Sequence, residues 1–108
     1  MKENGKRSVR KIDKDTWEGD FFFHPDDDIY RTHFPGYPVV PGSLIVHAFL
    51  KAGRDAGFSG DSLVIENFRF KEFLFPGRYP FRMELREGRL LCFIIRENKK
   101  IVTGTLKR

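Results

Sequence analysis

The sequence predicts an α+β domain in which one long central helix is wrapped by a curved antiparallel sheet of five to six strands, and three observations predict it. The segment Ser43–Ala56, SLIVHAFLKAGRDA, has the length, apolar density and flanking glycines of a helix. Six other short runs are rich in Phe, Val, Ile, Tyr and Thr and are separated by polar turn residues. Twelve phenylalanines among 108 residues supply large side chains for the core of so small a domain.

In chain order, Ser8–Asp13 and Thr16–His24 read as a first strand pair around a turn at Lys14-Asp15, and the stretch WEGDFFFHP carries the bulky residues of a strand. The helix comes next, with Ser43 or Gly42 as candidate N-cap and Gly57 as candidate stop. Leu44, Ile45, Val46, Ala48, Phe49, Leu50 and Ala52 make it apolar almost all round, which predicts burial on every side. Ser62–Phe70, Tyr79–Glu87, Arg89–Glu97 and Lys100–Lys107 follow as strands, with turns at Glu87-Gly88 and Asn98-Lys99. Residues 1–7 read as a mobile basic tail and residues 8–108 as a single domain.

Charge and composition narrow the function. A net charge of +5 favours an acidic partner. The basic residues are spread along the chain and the aromatics sit in apolar alternation, a pattern that does not suit nucleic acid. Cys92 is the one cysteine, so an internal disulfide and a cysteine-cluster metal site are excluded, and its run LLCFII marks it as a small buried thiol. His24, His33 and His47 lack the spacing of a helical metal pair, and Asp26–Asp28 reads as a solvated turn, so no metal is expected. No apolar run approaches a membrane span and no signal region follows the charged start, so the expected compartment is the cytoplasm.

The densest chemical signal is THFPGYPVVPGSLIVHAFLKAG, Thr32 to Gly53. Pro35, Pro38 and Pro41 stiffen a turn that Gly36 and Gly42 allow to reverse, and an apolar helix follows at once. Such a turn can hold the imidazole of His33 near the first N–H groups of the helix, which have no partner within it and carry the positive end of its dipole. Those groups suit a carbonyl oxygen that gains negative charge during reaction. A plain chain reversal, with His33 as a capping or packing residue, is the alternative reading from generic chemistry.

The string HFPGYPVVPGSLIV closely resembles the signature of the FabZ/FabA-type 3-hydroxyacyl-acyl-carrier-protein dehydratases, roughly HFPxxPVxPGxLxxE. His33, Phe34, Pro35, Pro38, Val39, Pro41, Gly42 and Leu44 fall in register. ENFRFKEFLFPGRYPFRMEL is similar to the family's RFxxPVxPGDxL segment at Phe68, Arg69, Phe70, Pro76 and Gly77, and DDDIYRTHFPG to its EPFFxGHFPG approach. The resemblance runs from about Phe21 to Arg108 and implies a hot-dog fold that dimerises, often through the strand after the helix. It departs at three places: the helix carboxylate 14 residues after the histidine is His47, the preceding Gly is Thr32, and a usual helix Gln is Lys51.

What the resemblance implies is a thioester dehydratase without a cofactor. His33 removes a proton beside the thioester carbonyl, the N–H of Gly42 polarises that carbonyl, and the group at position 47 handles the departing hydroxyl. His47 stands as the second catalytic candidate because an imidazole can hold or donate to a hydroxyl; Glu66 is another acid to test. Phe34, Pro41, Leu44 and Phe70 are the expected cleft residues. The implied substrate is an acyl thioester on acyl carrier protein or coenzyme A, with Lys71, Arg69, Arg78 and Arg82 as candidate docking charges for an acidic carrier. A homodimer is expected, or a heteromer with a carboxylate-bearing relative. A non-catalytic acyl-thioester binding module competes with the enzyme, and a thioesterase is a weaker variant.

Overall fold

The computed structural model describes residues 6–25, 39–58 and 63–108. Within them six antiparallel strands and one helix follow in the order β1 (Lys6–Asp13), β2 (Thr16–Phe23), α1 (Gly42–Asp55), β3 (Val64–Phe70), β4 (Gly77–Arg86), β5 (Arg89–Arg96) and β6 (Lys99–Lys107). Strand β1 begins inside the stretch expected to be a free tail: Arg7 lies in the ladder opposite Phe21 and donates to Asp55 of the helix at 2.6 Å.

The strand order is β1-β2-β4-β5-β6-β3. Every consecutive pair joined by a short turn is adjacent, whereas β2 and β3, separated by the helix, lie far apart in the order. The helix therefore carries the chain across the sheet, and β3 adds beside β6. Two hairpins close with two-residue turns at Glu87-Gly88 (φ 51 and 76) and Glu97-Asn98 (φ 52 and 64). Positive φ at both central positions matches the right-handed twist of the flanking strands. The second turn sits one residue earlier than Asn98-Lys99, because Asn98 fills the second left-handed position and releases Lys99 into the strand.

The core lies between one face of the sheet and the helix. Phe21 and Phe23 of β2, Phe81 and Met83 of β4, Leu90, Cys92 and Ile94 of β5, and Val102 and Leu106 of β6 meet Ile45, Ala48, Phe49 and Ala52. The alternation of two that sends these side chains inward sends Leu91, Phe93, Thr103 and Thr105 outward. Phe21 stacks on Phe81 with centroids 4.1 Å apart and meets Phe49 edge-on at 4.9 Å.

Burial of the helix on every side is not what the fold provides. Ile45, Ala48, Phe49, Ala52 and Gly53 are buried, while Ser43, His47 and Arg54 are exposed along the opposite face. Val46 and Leu50 are the apolar residues that misled the count, and both are half-buried at the margin. The helix starts after Pro41, not at a side-chain N-cap; the carbonyl of Pro41 accepts from Leu44 and Ile45. It stops at Gly57 as expected: Gly57 has φ 90, its N–H donates to Arg54, and the N–H of Phe58 reaches back to Gly53 at 2.7 Å. This is a Schellman motif, with Phe58 buried behind it.

The two ends of the sheet differ. β1 presents Arg10 and Lys11 exposed at one margin. β3 presents Val64 and Ile65, each about half exposed, at the other.

Candidate active site at the start of the helix

The chain is brought to the helix start by a strap of residues 71–76 between β3 and β4. The carbonyl of Leu74 accepts from Val40 N–H at 2.7 Å, just before Pro41, and Leu74 itself is buried. The strap is held at its own ends by Lys71 N–H on the carbonyl of Ile101, by an Arg96–Glu72 ion pair, and by the Tyr79 hydroxyl donating to the carbonyl of Phe75 at 2.7 Å. Burial, the chief influence on Tyr79, pushes its phenol above the ordinary value and keeps it a donor.

At Gly42 the first turn of α1 meets Phe70. A Cβ at this position would lie 3.1 Å from two atoms of the Phe70 ring, so the glycine lets aromatic ring and backbone approach closely. Phe70 stacks loosely on Phe68 at 6.5 Å, and Phe68 packs towards Phe49 at 5.9 Å. Phe68 fits because Gly104 of β6 has no side chain where the ring lies. A line of phenylalanines thus runs from the core to the helix start and ends on the half-exposed Phe70. The strap adds Phe73, 74% exposed, and Phe75, 47% exposed.

Of the cleft candidates, Pro41, Gly42, Leu44 and Phe70 are gathered at this end, Leu44 packed against the core and Pro41 half-buried. His33 and Phe34 lie outside the described residues. His47 stands on the open face of the helix, one turn beyond Ser43 and Leu44, not in the apolar setting anticipated for it. Glu66 is turned the other way: it pairs with Thr105, whose neighbours Gly104 and Leu106 are the ones that face the core.

The four docking charges do not form one patch. Arg82 is tied to Glu84 at 2.8 Å and Glu18 at 3.3 Å. Arg78 lies over the Phe22 ring at 5.8 Å. Arg69 and Lys71 line a groove on the outer face of the sheet. Sequence reasoning missed the strap and the Phe68–Gly104 contact; a glycine in the middle of a strand was the available signal for the second.

A single helix laid across a six-stranded antiparallel sheet is the hot-dog fold. The chain belongs to the ApeI-like family, described as ApeI dehydratase, whose model matches residues 9–105. Similar proteins include the 3-hydroxyacyl-[acyl-carrier-protein] dehydratase FabZ of Halalkalibacterium halodurans, 39% identical over 64 residues, covering 48% of this chain and 43% of that one. FabZ of Thermus thermophilus is 36% identical over 73 residues, covering 59% and 49%. The chain spans about half the length of the curated relatives it matches. Among solved structures, a chain of the dehydratase heterocomplex ApeI:P from Xenorhabdus doucetiae superposes with a TM-score of 0.78 at 20% identity, covering 93% of this chain and 92% of that one. A putative thioesterase from Ralstonia eutropha gives a TM-score of 0.61 at 18% identity, covering 93% and 81%. Among the described residues no helix is long and apolar enough to cross a membrane.

Proposed function

We propose that this chain is a subunit of a 3-hydroxyacyl-thioester dehydratase whose second catalytic group comes from another chain. The observation that carries the reading is the exposure of His47 on the open face of α1, at the position where the resemblance implies the family's helix carboxylate. Membership of the ApeI-like family and the glycine-led helix start beneath Phe70 support the rest.

In the proposed reaction the thioester carbonyl lies against the N–H of Gly42, where the helix dipole and an open donor favour the charge that develops on oxygen. His33 takes the proton from the carbon beside the carbonyl. The electron pair left behind forms the double bond to the next carbon, the bond from that carbon to its hydroxyl breaks, and the hydroxyl leaves as water with a proton from the second group. That group needs to be an acid when His33 is a base. A carboxylic acid from a related partner supplies it in the heteromer; in a homodimer the task falls to His47. The first turn of α1 carries no carboxylate, which favours the heteromer, and the similar heterocomplex of Xenorhabdus doucetiae supports the same choice. The exposed edge of β3 is the proposed seam, and an acyl thioester on acyl carrier protein or coenzyme A is the proposed substrate.

Turnover of short 3-hydroxyacyl and trans-2-enoyl thioesters, followed by mass spectrometry, tests this. The chain alone should be weak or inactive, and His47→Glu should raise the rate by about tenfold or more, the lower range for a positioned acid or base. Brisk turnover by the unmodified chain, with no gain in correctly folded His47→Glu protein, makes His47 itself the catalyst and rules out the partner-supplied acid.

A further inference from the structure

The outer face of the sheet carries a groove that the proposed dehydration leaves unused. Its floor is Thr103, Gly104 and Thr105 of β6, one wall is Leu91 and Phe93 of β5, and the other is Asn67, Arg69 and Lys71 around β3. Its volume is about 430 Å³, within the size range of small-molecule sites.

A bulge in β3 builds it. Glu66 pairs with Thr105 and Arg69 with Thr103, so Asn67 and Phe68 together stand opposite one residue of β6. Asn67 takes φ 54 and Phe68 turns inward over Gly104. A bulge bends its strand and re-aims side chains, which here leaves Arg69 on the outward side. Charge then distinguishes the two walls. Arg69 and Lys71 are exposed, and no carboxylate among the described residues lies within ion-pair distance of either, as is true of several other surface cations. Lys100, outside the lining of the groove, holds its Nζ 4.1 Å from the Phe93 ring centroid. Glu66 places one negative charge towards the other end, beside Thr105.

We propose that this groove binds a phosphate ester with an apolar or planar body. The guanidinium of Arg69 matches a phosphate in two parallel hydrogen bonds, and Lys71 supplies the second charge a dianion calls for. The hydroxyls of Thr103 and Thr105 and the amide of Asn67 are further donors, while Leu91 and Phe93 receive the body. The site is independent of the dehydratase reading, because it lies on the opposite face from Gly42 and pairing along the β3 edge engages backbone groups, not these outward side chains.

Isotope-labelled protein is titrated by NMR with AMP, with hexyl phosphate and with inorganic phosphate. One of the two esters should produce saturable amide shifts at Asn67–Lys71 and Thr103–Thr105, with a Kd of about 10 μM to 1 mM and no shifts at Gly42–Ile45. AMP binding identifies a nucleotide source and hexyl phosphate a lipid one; inorganic phosphate should bind about tenfold more weakly than the better ester. Arg69→Gln, at an exposed position, should keep the melting temperature and weaken binding about tenfold. The proposal is overturned if neither ester gives saturable shifts, if the shifts map elsewhere, if inorganic phosphate matches both esters, or if folded protein carrying both Arg69→Gln and Lys71→Gln binds as before.

Discussion

Gly104→Ala tests the line of phenylalanines that connects core and helix start. Gly104 is buried in the middle of β6, opposite Cys92. A Cβ there would stand 2.5 Å from Cδ2 of Phe68 and closer still to two other ring atoms, where ordinary contact begins at 3.4 Å. The ring must therefore retreat by about 1 Å in an interior packed to crystal density. Phe49 lies against it at 5.9 Å and Phe70 stacks on it at 6.5 Å, so both directions of retreat disturb another ring. Alanine regains about 0.5–1 kcal/mol over glycine within a strand, while overpacking costs about 1–3 kcal/mol, with the upper part of that range applying because three ring atoms overlap. The net expectation is a loss of about 1–2.5 kcal/mol, read from urea unfolding midpoints at unchanged slope. Phe68→Leu in the Gly104→Ala background should recover part of it, with a coupling of about 1 kcal/mol in a double-mutant cycle. A neutral or stabilising Gly104→Ala with no coupling to Phe68 would refute the packing argument.

Two further outcomes follow from a half-buried carboxylate and a buried thiol. Burial raises the carboxyl of Glu84, but the hydrogen bond from Arg86 and the charge of Arg82 outweigh it and hold the group below its ordinary 4.5. A pKa depressed by folding contributes stability above the unfolded value and loses it as pH falls through the folded one; stability should therefore decline on acidification below 4.5, and Glu84→Gln should flatten part of that decline in urea midpoints measured across the acid range. Cys92 is fully buried, and burial pushes its thiol well above the ordinary value. Native protein should resist a thiol-specific disulfide reagent at mildly alkaline pH and react with one equivalent in denaturant; fast labelling of the native state would mean that the β5–β6 pair opens readily.

Most of the fold was legible because local chemistry decides it. Glu87-Gly88 closes a hairpin wherever it falls between two strand-like runs, and Gly57 ends a helix by adopting φ 90. The burial of α1 was misjudged because counting apolar residues ignores what covers them. Val46 and Leu50 sit on the margin of a helix with sheet on one side only, and His47 takes the open face. The candidate site was legible in its motif and hidden in its surroundings. Gly42 and Phe70 are 28 positions apart in the chain and meet because β3 crosses to the far edge of the sheet. No periodicity encodes that crossing, nor the hydrogen bond from Val40 to Leu74 that anchors the helix start. Glu66 misled as a candidate acid because the bulge after it resets the alternation of β3.

The unequal margins of the sheet limit how far it can grow. Each margin offers unpaired backbone groups, but a strand joining β1 must settle beside Arg10 and Lys11, and the charges of an identical strand would be brought against them. The β3 margin, where Val64 and Ile65 are about half exposed, is the one proposed above to receive an added strand. A partner that pairs there, as proposed, would consume that margin and leave the basic β1 as this chain's free edge. Further strand addition on this chain's side would then have to begin beside Arg10 and Lys11, so the proposed pairing favours a closed assembly over an open filament.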